Sequence, residues 1–114
     1  MEEARTLGGS NGRAAARATG LSIVVPVFNE AAGLPALHAS LVEAARTLRE
    51  TRGLKCEVVY VDDGSRDATF AVARDLPASA LDVQVIALSR NFGKEAALAA
   101  GLDHAARGDR KSVV

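Results

Sequence analysis

Apolar and polar positions follow one another in blocks along this chain. Three apolar runs end abruptly in polar clusters: Ile23-Val24-Val25-Pro26-Val27 leads into Phe28-Asn29-Glu30, Val58-Val59-Tyr60-Val61 into Asp62-Asp63-Gly64-Ser65, and Val83-Gln84-Val85-Ile86-Ala87-Leu88 into Ser89-Arg90-Asn91-Phe92-Gly93. A stretch with helical spacing follows each cluster, so the pattern predicts strand, polar loop and helix three times over, βαβαβα. The first run is β-branched and continuous, as in a strand covered on both faces, which predicts an α/β fold with a parallel sheet. In such a sheet the three polar loops emerge together at the carboxyl edge, where open α/β sheets bind ligands.

The helices can be placed from their stripes and stops. After Asn29, read as a cap, Leu34, Leu37, Leu41, Ala44, Ala45 and Leu48 recur at helical spacing as far as Gly53, with Gly33 and Pro35 making the first turns irregular. A second helix is expected after Asp67, whose carboxylate caps it, with Thr69, Val72, Ala73 and Leu76 on one face and Pro77 as the stop. A third runs from about Gly93 to Ala106, with Ala97, Leu98, Gly101, Leu102 and Ala105 inward and Gly108 as the stop. Gly101 in mid-helix costs about 1 kcal/mol against Ala, which predicts close contact with a strand. Ser112-Val113-Val114 reads as the start of a fourth strand.

Composition narrows the picture. With 114 residues the chain is one domain at most: residues 1–20 read as a flexible arm rich in small and polar residues, and 21–114 as the folded part. Formal net charge is zero, so no basic field points to nucleic acid or an anionic membrane. Glu2 and Glu3 argue against an organellar presequence. No run reaches the roughly 18 apolar residues of a membrane span, and the first residues lack a secretory core, so the expected setting is cytoplasmic. The single cysteine, Cys56, reads as a small buried residue, and His38 and His104 as surface or boundary positions.

Three segments carry a resemblance: Ser22 to Glu30, Val61-Asp62-Asp63-Gly64-Ser65-Arg66-Asp67-Ala68-Thr69, and Ser89-Arg90-Asn91-Phe92-Gly93-Lys94-Glu95-Ala96-Ala97. In this order, each at a strand end, they look like the amino-terminal half of family 2 glycosyltransferases. The third, with Lys after its glycine, is most similar to the polyprenyl-phosphate members, the relatives of dolichyl-phosphate mannosyltransferase and bactoprenol glucosyltransferase. The resemblance spans about Ser22 to Gly108. It implies part of the GT-A, Rossmann-like fold that binds nucleotide-diphosphate sugars, with the polar loops holding the nucleotide of a UDP- or GDP-sugar.

The candidate substrate-binding residues are Pro26, Phe28, Glu30, Asp62, Asp63, Arg90 and Lys94. A carboxylate is a pure acceptor, suited to a base N–H or to ribose hydroxyls. Strand alternation lets one of Asp62 and Asp63 face the ligand while the other braces the turn, and Asp63 is preferred. Taken alone, Asp-Asp-Gly-Ser is also an ordinary turn with a helix cap behind it. By resemblance, Pro26, Phe28 and Glu30 shape the base and ribose side, although Phe28 can equally pack on a helix and Glu30 is a good first-turn residue. Arg90 and Lys94 flank the start of the third helix, where backbone N–H groups favour a diphosphate. Many soluble relatives have an arginine at the position of Leu98.

The resemblance implies Mg or Mn in the complete enzyme, usually held by an Asp-x-Asp motif on the fourth strand. The chain contains no Asp-x-Asp, and no catalytic or metal-binding residue is assigned. The expectation is therefore a truncated domain: the donor-binding half of an enzyme of cell-envelope glycosylation, inactive alone. The alternatives are a non-catalytic nucleotide-binding or interaction module and a degraded gene fragment. A missing fourth strand would leave Ile23 to Val27 on an edge and promote self-association.

Overall fold

The computed structural model describes residues 20–105 and 110–113. Along these residues β1 (Gly20–Val27), α1 (Leu34–Arg52), β2 (Lys55–Asp62), α2 (Thr69–Arg74), β3 (Leu81–Ala87), α3 (Lys94–Ala105) and β4 (Arg110–Val113) follow in order. The strands form one parallel sheet in the order β3-β2-β1-β4. This is the expected βαβαβα unit with a fourth strand added, and it constitutes part of a Rossmann-like fold. Most of the expected arm lies outside the described residues, whereas Gly20 belongs to β1.

Strand alternation divides the core into two layers. On one face, Cys56, Val58 and Tyr60 of β2 pack with Val27, Leu34, Ala45, Ala73 and Leu81, under α1 and α2. On the other, Val59 and Val61 pack with Val24, Ala97 and Ala105, under α3. Every residue of β2 after Lys55 is buried, which is why this run contains no polar alternation. Gly101 is the point of closest approach in the α3 layer: a Cβ there would stand 2.3 Å from Cγ1 of Val24 and 2.9 Å from Cγ2 of Val61. The close contact expected from the sequence is thus present.

Four local expectations are corrected. α1 begins at Leu34 after Gly33, and Asn29 lies in the left-handed region at φ 52°, so it does not cap the helix. A turn built on the Glu30 carbonyl, which accepts from Gly33 N and Leu34 N, takes up the intervening residues. Leu37 and Ala44 are exposed because the buried stripe of α1 runs through Leu34, His38 and Ala45 instead, and Leu102 is exposed because that of α3 runs through Ala97, Gly101 and Ala105. β4 starts at Arg110 and pairs Gly20 to Ile23 with Arg110 to Val113, so Ile23 is not on an open edge; among the described residues, Val24 to Val27 lack a partner on that side. The fourth concerns His38, which is only 2% exposed.

His38 joins the three segments around it. Its Nε2 lies 2.8 Å from the Pro77 carbonyl oxygen, an acceptor, so Nε2 carries the proton. Nδ1, 2.8 Å from the Tyr60 hydroxyl, then accepts from it in the neutral ring. Burial pushes the Tyr60 phenol up to about 12, which keeps that donor protonated. One imidazole therefore ties α1 to the centre of β2 and to the segment after α2.

Replacing His38 with Leu keeps a similar bulk but leaves the buried Tyr60 hydroxyl without its acceptor. The expected cost is about 1–3 kcal/mol of unfolding free energy. Denaturant titration of the wild-type and H38L proteins measures it, and equal midpoints would show that the imidazole adds nothing to stability.

Candidate functional site

The three strand-end loops meet at the carboxyl edge and are tied to one another through side chains. The first tie joins the loop after β1 to the loop after β2. Asn29 N donates to Ser65 Oγ at 2.8 Å, and Arg66 N donates to Asn29 Oδ1 at 2.9 Å. A left-handed backbone is tolerated by Asn better than by most residues, and here it lets main chain and side chain of Asn29 face the same loop. Further along, Glu30 N donates to Thr69 Oγ1 at 2.8 Å, while the Thr69 hydroxyl donates to Asp67 Oδ1. Asp67 also accepts from Thr69 N at 2.9 Å, an Asx-type turn and not the cap expected of it, since Ala68 holds the N-cap position of α2 without a side-chain cap.

The second tie joins the loop after β2 to the loop before α3, and Asp63 makes it. Its Oδ1 accepts from Phe92 N at 2.8 Å, and its Oδ2 accepts from Gly93 N at 3.0 Å and from Asn91 Nδ2 at 3.2 Å. The carboxylate is 3% exposed and stands at the amino end of α3, where a negative charge is favoured by the helix dipole. Asp63 thus holds the loop just ahead of α3 from a neighbouring strand. Asp62 turns the other way, as alternation requires, and accepts from Ser65 N at 3.1 Å, bracing its own turn.

The N–H groups of Phe92 and Gly93, just ahead of α3, serve the Asp63 carboxylate. Gly64 explains how the loops come so close. It has φ 71°, and a Cβ there would lie 2.2 Å from the Arg90 carbonyl carbon and 2.3 Å from Asn91 N, both backbone atoms that cannot swing aside.

Two adjoining clefts open over this edge. The first, of about 160 Å³, is lined by Pro26, Val27, Phe28, Glu30, Asp63 and Lys94. It gathers five of the seven candidate residues from all three loops. The second, of about 600 Å³, is lined by Phe28, Asn29, Gly64, Arg66, Ser89, Arg90 and Asn91. Arg90 therefore falls in the neighbouring cleft, Asp62 lines neither, and Phe28, 42% exposed, borders both. Arg66 and Asn29 are absent from the candidate set, although their places inside the polar clusters are the signal that could have found them. Among the described residues no group of three or more His, Cys, Asp or Glu could hold a metal ion.

Comparison with known proteins adds a lineage to this geometry. The profile of glycosyl transferase family 2 matches residues 22–113. A prophage bactoprenol glucosyl transferase homolog of Escherichia coli K12 is 42% identical over 85 residues, 75% of this chain and 26% of that protein. An undecaprenyl-phosphate 4-deoxy-4-formamido-L-arabinose transferase of Aeromonas hydrophila is 39% identical over 90 residues, 78% of this chain and 26% of that protein. The chain thus spans about a quarter of the length of these relatives.

Two outcomes follow from the loop ties. Gly64→Ala should open the contact between the second and third loops, since both its backbone conformation and its clearance forbid a methyl group. Amide hydrogen exchange should rise at Arg90 to Gly93 and stay unchanged at Tyr60; uniform exchange in the two proteins would overturn this. The Asp67 carboxyl is held below its ordinary value chiefly by the Thr69 hydroxyl. A depressed folded-state value contributes stability above the unfolded value near 3.8, lost as pH falls through the folded one. Unfolding midpoints of wild type and Asp67→Asn should therefore differ at pH 6 and converge on acidification through that range.

Proposed function

The chain belongs to glycosyl transferase family 2, and from that premise we propose that its strand-end loops hold the nucleotide of a UDP- or GDP-sugar in a protein that transfers the sugar to polyprenyl phosphate. The observation that supports this most directly is the cleft in which Pro26, Phe28, Glu30, Asp63 and Lys94 converge from three loops. Each has a chemistry suited to one part of such a donor. Phe28 offers an exposed ring to the base. Glu30 offers acceptor oxygens to ribose hydroxyls, and Asp63, besides its ties to the third loop, borders the cleft with acceptor lone pairs for a base N–H. Lys94, in the first turn of α3, offers a cation to the diphosphate and offsets the adjacent carboxylates.

Asp62 acts through the turn that it braces, not by touching the donor. Among the described residues no group of three or more His, Cys, Asp or Glu stands together to hold the divalent cation of the family. No step is assigned to a cation here. The described segment accordingly binds and orients the donor, and the 114 residues by themselves transfer no sugar. Action on the cytoplasmic face of a membrane fits a water-soluble donor and a lipid-linked acceptor, although no described helix is long and apolar enough to cross a bilayer. Among the described residues Val24 to Val27 lack a strand partner on one side of β1, a surface through which two copies could associate.

Calorimetric titration with UDP, GDP and their sugars tests the reading. One nucleotide should bind, and Lys94→Ala should weaken it by about tenfold, the loss of one charge-assisted contact. Absence of heat with every nucleotide would overturn the assignment.

A further inference from the structure

We propose that the cleft beside the nucleotide cleft is a separate phosphate subsite, built on Arg66 and Arg90. Both guanidinium-bearing residues line the same cavity, and none of the residues lining it is acidic. That distinguishes it from the nucleotide cleft, where Glu30 and Asp63 accompany Lys94. An anion entering between the loops meets carboxylates on one side of Phe28 and only cations and neutral donors on the other.

Both arginines are held in place. The backbone of Arg66 is fixed by its N–H to Asn29 Oδ1 at 2.9 Å. The backbone of Arg90 is packed against Gly64, and its guanidinium lies over the Phe92 ring with Cζ 4.8 Å from the centroid. A guanidinium stacked on an aromatic face keeps its N–H donors available at its edge, the geometry that suits bidentate contact with phosphate. Ser89, also on the wall of the cavity, supplies a hydroxyl donor. A terminal phosphate, carrying nearly two charges and three acceptor oxygens, matches two forked cations better than a carboxylate does.

Such a phosphate could be free or could head a lipid, and titration with two probes separates the sources. Inorganic phosphate and farnesyl phosphate are each titrated into the isotopically labelled protein, with amide shifts of Arg66, Ser89 and Arg90 as the readout. At least one probe should shift these signals saturably, and Arg66→Ala or Arg90→Ala should weaken binding by about tenfold each. Arg66→Lys should recover part of the loss, since it keeps the charge without the fork. Lys94→Ala should weaken UDP and leave the phosphate probe unaffected, which separates failure of this subsite from failure of the nucleotide cleft. Tighter binding of farnesyl phosphate than of inorganic phosphate assigns the subsite to a lipid-linked group; equal affinity assigns it to a phosphate alone. No saturable shift with either probe, or binding that neither arginine substitution weakens, would overturn the proposal.

Discussion

The Asp63 carboxylate is the contact on which the binding edge of this molecule depends. A loop after a parallel strand has no ladder to hold it, and the three loops here must nevertheless present side chains to a common cleft. Asp63 solves this for two of them by accepting from consecutive N–H groups at the start of α3. Hydrogen bonds to an ionised group are worth about 1.5–3 kcal/mol each, more than neutral ones, and burial of the carboxylate limits competition from water. The same contact fixes the amino end of α3 against the sheet. Through Ala97, Gly101 and Ala105, that helix then covers Val24, Val59 and Val61. Loop geometry and core packing are consequently linked through one side chain.

The first loop is joined to the second by a different device, in which small polar side chains exchange hydrogen bonds with backbone. Asn29, Ser65 and Thr69 each satisfy main-chain groups across the gap, and Asp67 accepts from Ala31 N across it at 3.4 Å as well as from Thr69 in its own loop. The result is an edge where the loop backbones are mutually held while Glu30, Arg66, Arg90 and Lys94 remain exposed. Such a division suits recognition. Charged side chains lose less freedom on binding when the backbone beneath them is already ordered.

Periodicity made most of this architecture legible. β1 and β2 were evident from continuous apolar runs, because strands covered on both faces have no polar alternation, and β3 was evident although Asp82 and Gln84 alternate with its apolar positions. Gly101 betrayed its packing because a mid-helix glycine needs a reason, and the space beneath it is filled by Val24 and Val61. His38 was misplaced for the opposite reason. Its position continues the stripe of Leu34 and Leu41, but imidazole counts as polar until partners are known, and those partners, Tyr60 and Pro77, come from distant segments. Asn29 was misread because a cap and a left-handed turn favour the same residue type. Asp67 was read as a cap for a similar reason: it accepts from Thr69 N two positions on, but Ala68 holds the N-cap position of α2.

The site shows the same boundary between local and non-local information. That Asp62 and Asp63 diverge follows from strand alternation alone, yet the direction of Asp63, toward α3, depends on where Phe92 and Gly93 are carried by the third loop. This changes the electrostatics of the whole edge. A buried carboxylate beside the start of α3 offsets the attraction of that helix end for an anion. The side-chain cations of the edge are divided by Phe28 into Lys94 on one side and Arg66 with Arg90 on the other. The division separates a mixed-charge cleft, suited to a ligand with both donors and anionic oxygens, from a purely cationic one suited to a phosphate group.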